Sequence, residues 1–434
     1  MKTTLKLFLL LSLSCGLFFG AQAQEYNKHF TDNALRIDFS LAGNNADTKF
    51  YLEQMKQLES YAGSRSALID EQYMGDYRYS LSDIETDSLL FARGFNSLFR
   101  EWQSTPEAEL LDRSYYHCIV LPFPIHTVKF KLQQRQRDGK YTTLFTREID
   151  PEDYFIVREK TKNFASKKIA DYGAPSNHVD LVFIPEGYTA AQMDKFEADI
   201  QRLTDYMFDN PPFDKHREDF NLYAVFAPSD DEGTDIPGKD IYRNTAFNTT
   251  FYTFDSPRYL TTKDLKAVYD AAELVPFDQI YVLVNTDNYG GGGFYNYLNL
   301  TSVDHPKSPQ VFVHEFCHGF AGLADEYYNP NDALEFMYEL DVEPWEPNIT
   351  TLTDFKSKWE KLIDKKTPIP TPRTTEYLNH IGVFEGGGYL AKGVYSPAQD
   401  CRMKTNEAEG YCPVCQKAIV DAIHKTIRVS LPSE

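Results

Sequence analysis

The segment VFVHEFCHGFAGLADE, residues 311–326, restricts this chain more than any other. His314 and His318 stand four residues apart, so on a helix their imidazoles leave one face a single turn apart and can share one metal ion. Glu315, beside the first histidine, reaches a water at that metal without taking a coordination position. A catalytic zinc keeps three protein ligands and one open position, so a third donor is required. In a continuous helix, residue 325 would lie roughly 10 Å along the axis from His318, at about 1.5 Å per residue, and one ion could not touch both. The helix must therefore stop soon after His318 and let the chain turn back. Gly319 and Gly322 are the residues that accept the positive φ of such a turn. Beyond them Asp325 is the expected third ligand, with Glu326 as the alternative or as a partner of a histidine. Zinc (Zn2+) so held would supply Lewis acidity and an acidified water, with Glu315 as general base passing the proton to a leaving amine.

The rest of the chain divides into two regions. Residues 24–155 look β-rich. Residues 35–41 (Leu-Arg-Ile-Asp-Phe-Ser-Leu) and 128–132 alternate apolar and polar, and Asp138-Gly139 followed by residues 141–145 reads as a hairpin. No chemically competent cluster appears here; His117 and His126 are isolated. From about 175 onward, apolar runs at 180–185, 220–226 and 279–285 alternate with helical stretches at 191–208 and 262–273, which predicts an α/β layer. Residues 367–373, rich in proline, read as a loop, and 414–428 as a final helix. The predicted fold class is α+β multidomain: an all-β, sandwich-like accessory domain (24–155), then an α/β domain (156–434) carrying the metal helix.

Residues 1–23 have the form of an export signal: Lys2 and Lys6, an apolar run, then Ala21 and Ala23 bracketing Gln22. The expected location is outside the cytoplasm, extracellular, periplasmic or on the cell surface. No later segment has the length of a membrane span. A formal net charge of −20 repels nucleic acid and anionic membranes, so neither is an expected partner. With 42% hydrophobic and 15% aromatic residues, the chain can pack a full globular core. Cys401, Cys412 and Cys415 cluster near the end. A structural zinc there would need a fourth ligand, and the favoured reading is a disulfide involving Cys401.

The string His314-Glu-Phe-Cys-His-Gly-Phe-Ala-Gly-Leu-Ala-Asp-Glu-Tyr327 resembles the active-site signature of the bacterial IgA-peptidase family of zinc metallopeptidases, a metzincin-like group. The resemblance extends over about 175–425. It takes in Ile184-Pro-Glu-Gly-Tyr188, Gly233-Thr-Asp235, the glycine run between Tyr289 and Phe294, Glu385-Gly-Gly-Gly-Tyr389, and Cys401-Arg-Met403 with Cys412-Pro-Val-Cys415. The β-rich region is similar to the domain that accompanies many members. The resemblance implies a metzincin-like fold, His314, His318 and Asp325 as zinc ligands, Glu315 as base, and Met403 in a methionine turn beneath the metal. Metzincins set a glycine three residues after the second histidine; here Gly322 is four after His318, while Asp325 keeps the following three-residue step.

Other features carry less. Gly290 to Gly293 lack the Lys-Ser/Thr of a phosphate cradle and read as a loop lining a peptide cleft. Asp230, Asp231, Glu232 and Asp235 do not have calcium-loop spacing and read as a solvated turn. Tyr327, Tyr328 and Tyr411 are candidates to hydrogen-bond an oxyanion, and Cys317 reads as core. The expected function is an exported zinc endopeptidase acting on protein or peptide substrates. The alternative is a non-catalytic extracellular binding or adhesion protein whose metal site is structural or decayed.

Overall fold

The computed structural model describes residues 25–72, 74–160, 164–328 and 337–427; the signal expected at 1–23 lies outside them. The alternating segments of the amino-terminal region form two four-stranded sheets. Strands β1 (Phe30–Gly43), β2 (Thr48–Leu58), β3 (Tyr77–Asp83) and β4 (Leu89–Phe95) precede a short helix α1 (Leu98–Trp102). Then come β5 (Arg113–Pro124), β6 (Val128–Arg135), β7 (Tyr141–Ile149) and β8 (Ile156–Val157). One sheet runs β5-β1-β2-β8, the other β4-β3-β6-β7. Their inner faces meet through aromatic rings: Phe39 and Phe50 of the first stack at 4.9 Å, and Phe50 lies 4.2 Å from Phe145 of the second. A sandwich follows from a period-2 pattern that leaves one face of each sheet apolar.

The second domain begins at β9 (Ala165–Ala170), then β10 (Val179–Glu186), α2 (Met193–Phe208), β11 (Phe220–Phe226) and a small ladder of β12 (Thr249–Thr250) with β13 (Thr261–Thr262). It continues through α3 (Leu265–Ala272), β14 (Gln279–Val284), β15 (Gly291–Phe294), β16 (Leu298–Ser302) and α4 (Ser308–Ala321). A hairpin of β17 (Phe384–Gly387) and β18 (Leu390–Ser396) and the helix α5 (Pro413–Ile427) complete it. Its sheet runs β15-β16-β14-β10-β11-β9, with four parallel central strands and antiparallel edges. β10 is buried at every position because both faces are covered. Leu181 and Phe183 face a core shared with α2, α4 and α5; Val182 and Ile184 face a core that takes in α3 and the sandwich. The glycine run is therefore not the loop expected from sequence: Gly291 to Phe294 is an edge strand paired with β16.

The two domains share that second core, and a buried ion cluster reinforces the joint. Arg36 of β1 forks onto Asp38 at 2.7 and 2.8 Å and reaches Asp270 at 2.7 Å and Glu273 at 3.0 Å at the end of α3. His117 of β5 is stacked 5.3 Å from Phe39 on one side and 5.3 Å from Tyr297 of the second domain on the other. It is fully buried, Nδ1 donating to the Tyr115 carbonyl at 2.8 Å and Nε2 taking the Ser97 hydroxyl. Burial pushes its pKa down to about 3. The unfolded chain binds a proton there near pH 6.5 while the folded chain refuses it until about 3. Stability contributed above pH 6.5 is thus lost as pH falls through this window, by about 1.4 kcal/mol per unit. His117→Gln, which keeps an acceptor and a donor, should flatten the fall in denaturant midpoint between pH 6.5 and 4. A variant as acid-sensitive as the parent would contradict this assignment.

Candidate metal centre

The helix α4 is anchored on its inner side and open on the other. Phe312, Phe316 and Phe320 recur at the helical period and pack into the core, with Phe312 stacked on Tyr281 at 4.5 Å. That seating turns His314, Glu315 and His318 toward a cleft of about 880 Å³. The helix ends at Ala321, and Gly322 takes the left-handed conformation at φ 63°. Gly319, the other candidate for the turn, stays helical; a Cβ there would lie 1.9 Å from Asn299 Oδ1, so it is glycine for close packing instead. The reversed chain brings Asp325 back over the histidines.

His314 Nε2, His318 Nε2 and Asp325 Oδ1 form a triangle with sides of 3.0, 3.1 and 3.5 Å. Tetrahedral ligands at about 2.0–2.1 Å from a zinc ion stand roughly 3.3 Å apart, so these donors fit one ion. The lone pairs also fit. His314 Nδ1 donates to the Arg402 carbonyl at 3.0 Å and His318 Nδ1 to the Leu323 carbonyl at 2.5 Å. Carbonyls only accept, so each Nδ1 carries a proton, and in its neutral form each ring turns an Nε2 lone pair toward the other. Asp325 Oδ1 is buried, faces both rings, and has no aligned hydrogen-bond donor. Three acceptors converging without a donor call for a cation at their centre.

The charges agree. For His318, burial opposes protonation, but Asp325 outweighs it and pushes the pKa up to about 9. For Asp325, burial works against ionisation, yet the facing imidazoles hold it well below the usual carboxylate range. Burial pushes the Glu315 carboxyl up, with the two histidines acting in the other direction. Glu315 lies against β15, where a Cβ on Gly291 would come within 2.7 Å of its Cγ and one on Gly293 within 2.3 Å of its backbone oxygen. The glycine run is the strand that lets the sheet edge approach this carboxylate.

Of the acidic pair, only Asp325 faces the histidines. Glu326 points the other way, accepting from Asn348 Nδ2 at 3.0 Å and from the Cys415 thiol at 3.0 Å. The expected disulfide at Cys401 is not formed: Cys401, Cys412 and Cys415 are unbonded, with the Cys401 and Cys415 sulfurs 3.8 Å apart. Among the tyrosines singled out, Tyr327 lines the cleft and accepts from Arg258 at 3.2 Å. Tyr411 is core, donating to the Val313 carbonyl and touching buried Cys317; Tyr328 is exposed against Gly386. The acidic turn is held locally, Asp231 and Asp230 accepting from Asn244.

Sequence reasoning missed Tyr389, whose hydroxyl donates to Asp325 Oδ2. Its segment belongs to the resemblance, but nothing in a glycine-rich string 64 residues downstream signals that contact. Asn348, which clamps Ala324 through both its amide groups at 2.7 and 2.9 Å, was also silent. So was the sandwich's share of the cleft wall, Asn96 and Glu101. The Glu101 carboxyl is pushed up to about 7 by burial, against a hydrogen bond from Tyr259.

An open-sided triad facing a cleft of this size is the arrangement a metal-dependent hydrolase needs. The family described as IgA Peptidase M64 matches residues 168–379 and 373–423, and its companion, Peptidase M64 N-terminus, matches residues 25–146. The chain belongs to the IgA peptidase M64 family and is a peptidase with that family's two-domain architecture. A search of curated proteins finds no match. Among the described residues no helix is long and apolar enough to cross a membrane.

Proposed function

We propose that this chain is an exported zinc endopeptidase of metzincin-like design. His314, His318 and Asp325 hold the ion, and Glu315 is the general base. The observation that carries the reading is the convergence of two Nε2 atoms and one buried carboxylate oxygen, 3.0 to 3.5 Å apart, on one point open to the cleft. A zinc ion there would supply Lewis acidity to a peptide carbonyl and an acidified water as the nucleophile. Glu315, on the helix face beside the histidines, takes the proton and returns it to the leaving amine. The Nδ1 bonds to the Arg402 and Leu323 carbonyls fix both ring tautomers. The metzincin-like reading is supported by Met403, which follows Arg402 in the turn below α4 and accepts from the Glu326 amide at 2.8 Å. Export rests on the charge and apolar pattern of residues 1–23, and amino-terminal sequencing of the mature protein should begin at Gln24.

The test is cleavage-site profiling on a diverse peptide library, before and after chelation and after zinc is restored. Internal cleavage that disappears and returns with zinc is the expected result. A protein that holds zinc at the histidine pair and cuts nothing in the library would overturn the reading. The supporting contact from Tyr389 adds a graded prediction. Tyr389→Phe leaves the three ligands in place but frees Asp325 Oδ2, so active-site metal affinity or kcat/KM should fall about 10–100-fold, as measured by chelator competition and steady-state kinetics.

A further inference from the structure

We propose that Cys401, Cys412, Cys415 and Glu326 form a second metal site that holds a structural zinc ion. One ligand atom from each residue lies within 4.8 Å of all the others, and the four side chains are buried. The thiol sulfurs of Cys401 and Cys415 are 3.8 Å apart. That separation is the edge of a tetrahedron with zinc–sulfur bonds of about 2.3 Å, close to 3.8 Å, and far beyond a sulfur–sulfur bond.

The carboxylate gives the independent observation. Glu326 is 0% exposed, its Oε1 is shared by Asn348 and the Cys415 thiol, and its Oε2 has no partner. A carboxylate sealed among three thiols is costly unless a cation joins them. Sulfur-rich tetrahedral donors select zinc among the common divalent ions. Four protein donors leave no open position, which makes the site structural. The Cys412 amide points at Cys401 Sγ at 3.3 Å, a donor suited to a thiolate. A single disulfide would leave one thiol over and the Glu326 charge unanswered.

The site would tie three segments together beside the peptidase centre. Glu326 follows Asp325 directly, and its amide donates to the Met403 carbonyl at 2.8 Å. Cys401 precedes Arg402, whose carbonyl takes the His314 Nδ1 proton. Cys412 and Cys415 bracket the start of α5. An ion here therefore positions the third ligand and the tautomer of the first without touching substrate. The metal count itself does not depend on whether the chain cuts peptides.

Metal analysis of the full mature chain, dialysed against zinc and then against metal-free buffer, tests this. Two equivalents are expected, one for each cluster. The His314→Ala/His318→Ala variant should keep one. Its cobalt-loaded form should show sulfur-to-metal charge-transfer absorption, which the histidine–aspartate site cannot give. p-Hydroxymercuribenzoate should release one zinc from the unsubstituted protein, a readout independent of any variant's folding. One zinc in the parent and none in the double variant would overturn the proposal. An intact mass lower by a pair of hydrogens, showing a disulfide among the three cysteines, would overturn it equally. Neither result bears on the histidine site, whose own failure would appear as one mercurial-sensitive zinc in both proteins.

Discussion

Glu315→Gln should leave a folded protein that binds metal as before and turns over about 10²–10⁴-fold more slowly. Gln occupies the same volume under β15, where glycines leave room for the side chain and little more. It carries no charge, so the desolvation cost that pushes the carboxyl up falls away, and stability should hold or rise slightly. The amide cannot accept the proton from the attacking water, so the loss falls on kcat, with KM little changed. Steady-state kinetics on one cleaved peptide, run beside metal analysis and thermal unfolding, separates these terms. Activity within tenfold of the parent would remove Glu315 from the chemistry. Loss of metal together with activity would recast it as a ligand or a packing residue.

The sequence made some of this architecture readable and hid other parts for physical reasons. β10, β11 and β14 were visible as apolar runs because a parallel sheet covered on both faces leaves no polar alternation. The metal helix was visible because two ligands on one helix face have a fixed spacing. Its end was visible as a need for glycine, but which glycine was not. Gly322 supplies the positive φ and Gly319 the space for Asn299, a distinction that depends on a strand neighbour the local string does not contain. β15 is hidden because three of its four residues are glycines, which carry no side-chain pattern; the segment is a strand through pairing with β16. The cysteine cluster reads as a disulfide in sequence because its fourth neighbour, Glu326, lies 75 residues before Cys401 and is weighed there only as an alternative ligand or partner at the histidine pair. Arg36 looked like one polar position in an alternating strand. Its four hydrogen bonds, two of them to residues more than 230 positions away, are a property of domain packing. Long-range contacts of this kind leave no local periodicity to read.

Asp325 is the residue on which the two metal sites can be told apart. Asp325→Ala removes the one anionic donor from the histidine pair, leaving two neutral nitrogens 3.0 Å apart and a Tyr389 hydroxyl without its acceptor. Active-site metal should be lost, and peptidase activity should fall by more than the ~10–100-fold expected when only an outer partner is removed. Asp325→Asn sharpens the case. The amide keeps the volume and can still accept from Tyr389, so any drop beyond the Tyr389→Phe level reports the lost charge rather than lost packing. Glu326→Gln should do the reverse at first hand: its side chain faces the cysteines, so the mercurial-sensitive metal goes while the histidine pair still loads. Its activity should then fall less than that of Asp325→Asn, through loosening of the 325–326 turn. Chelator competition on the three variants, with mercurial release as the second axis, gives each site its own readout. If Asp325→Asn keeps its histidine-site metal and Glu326→Gln loses it, the third ligand has been assigned to the wrong member of the pair.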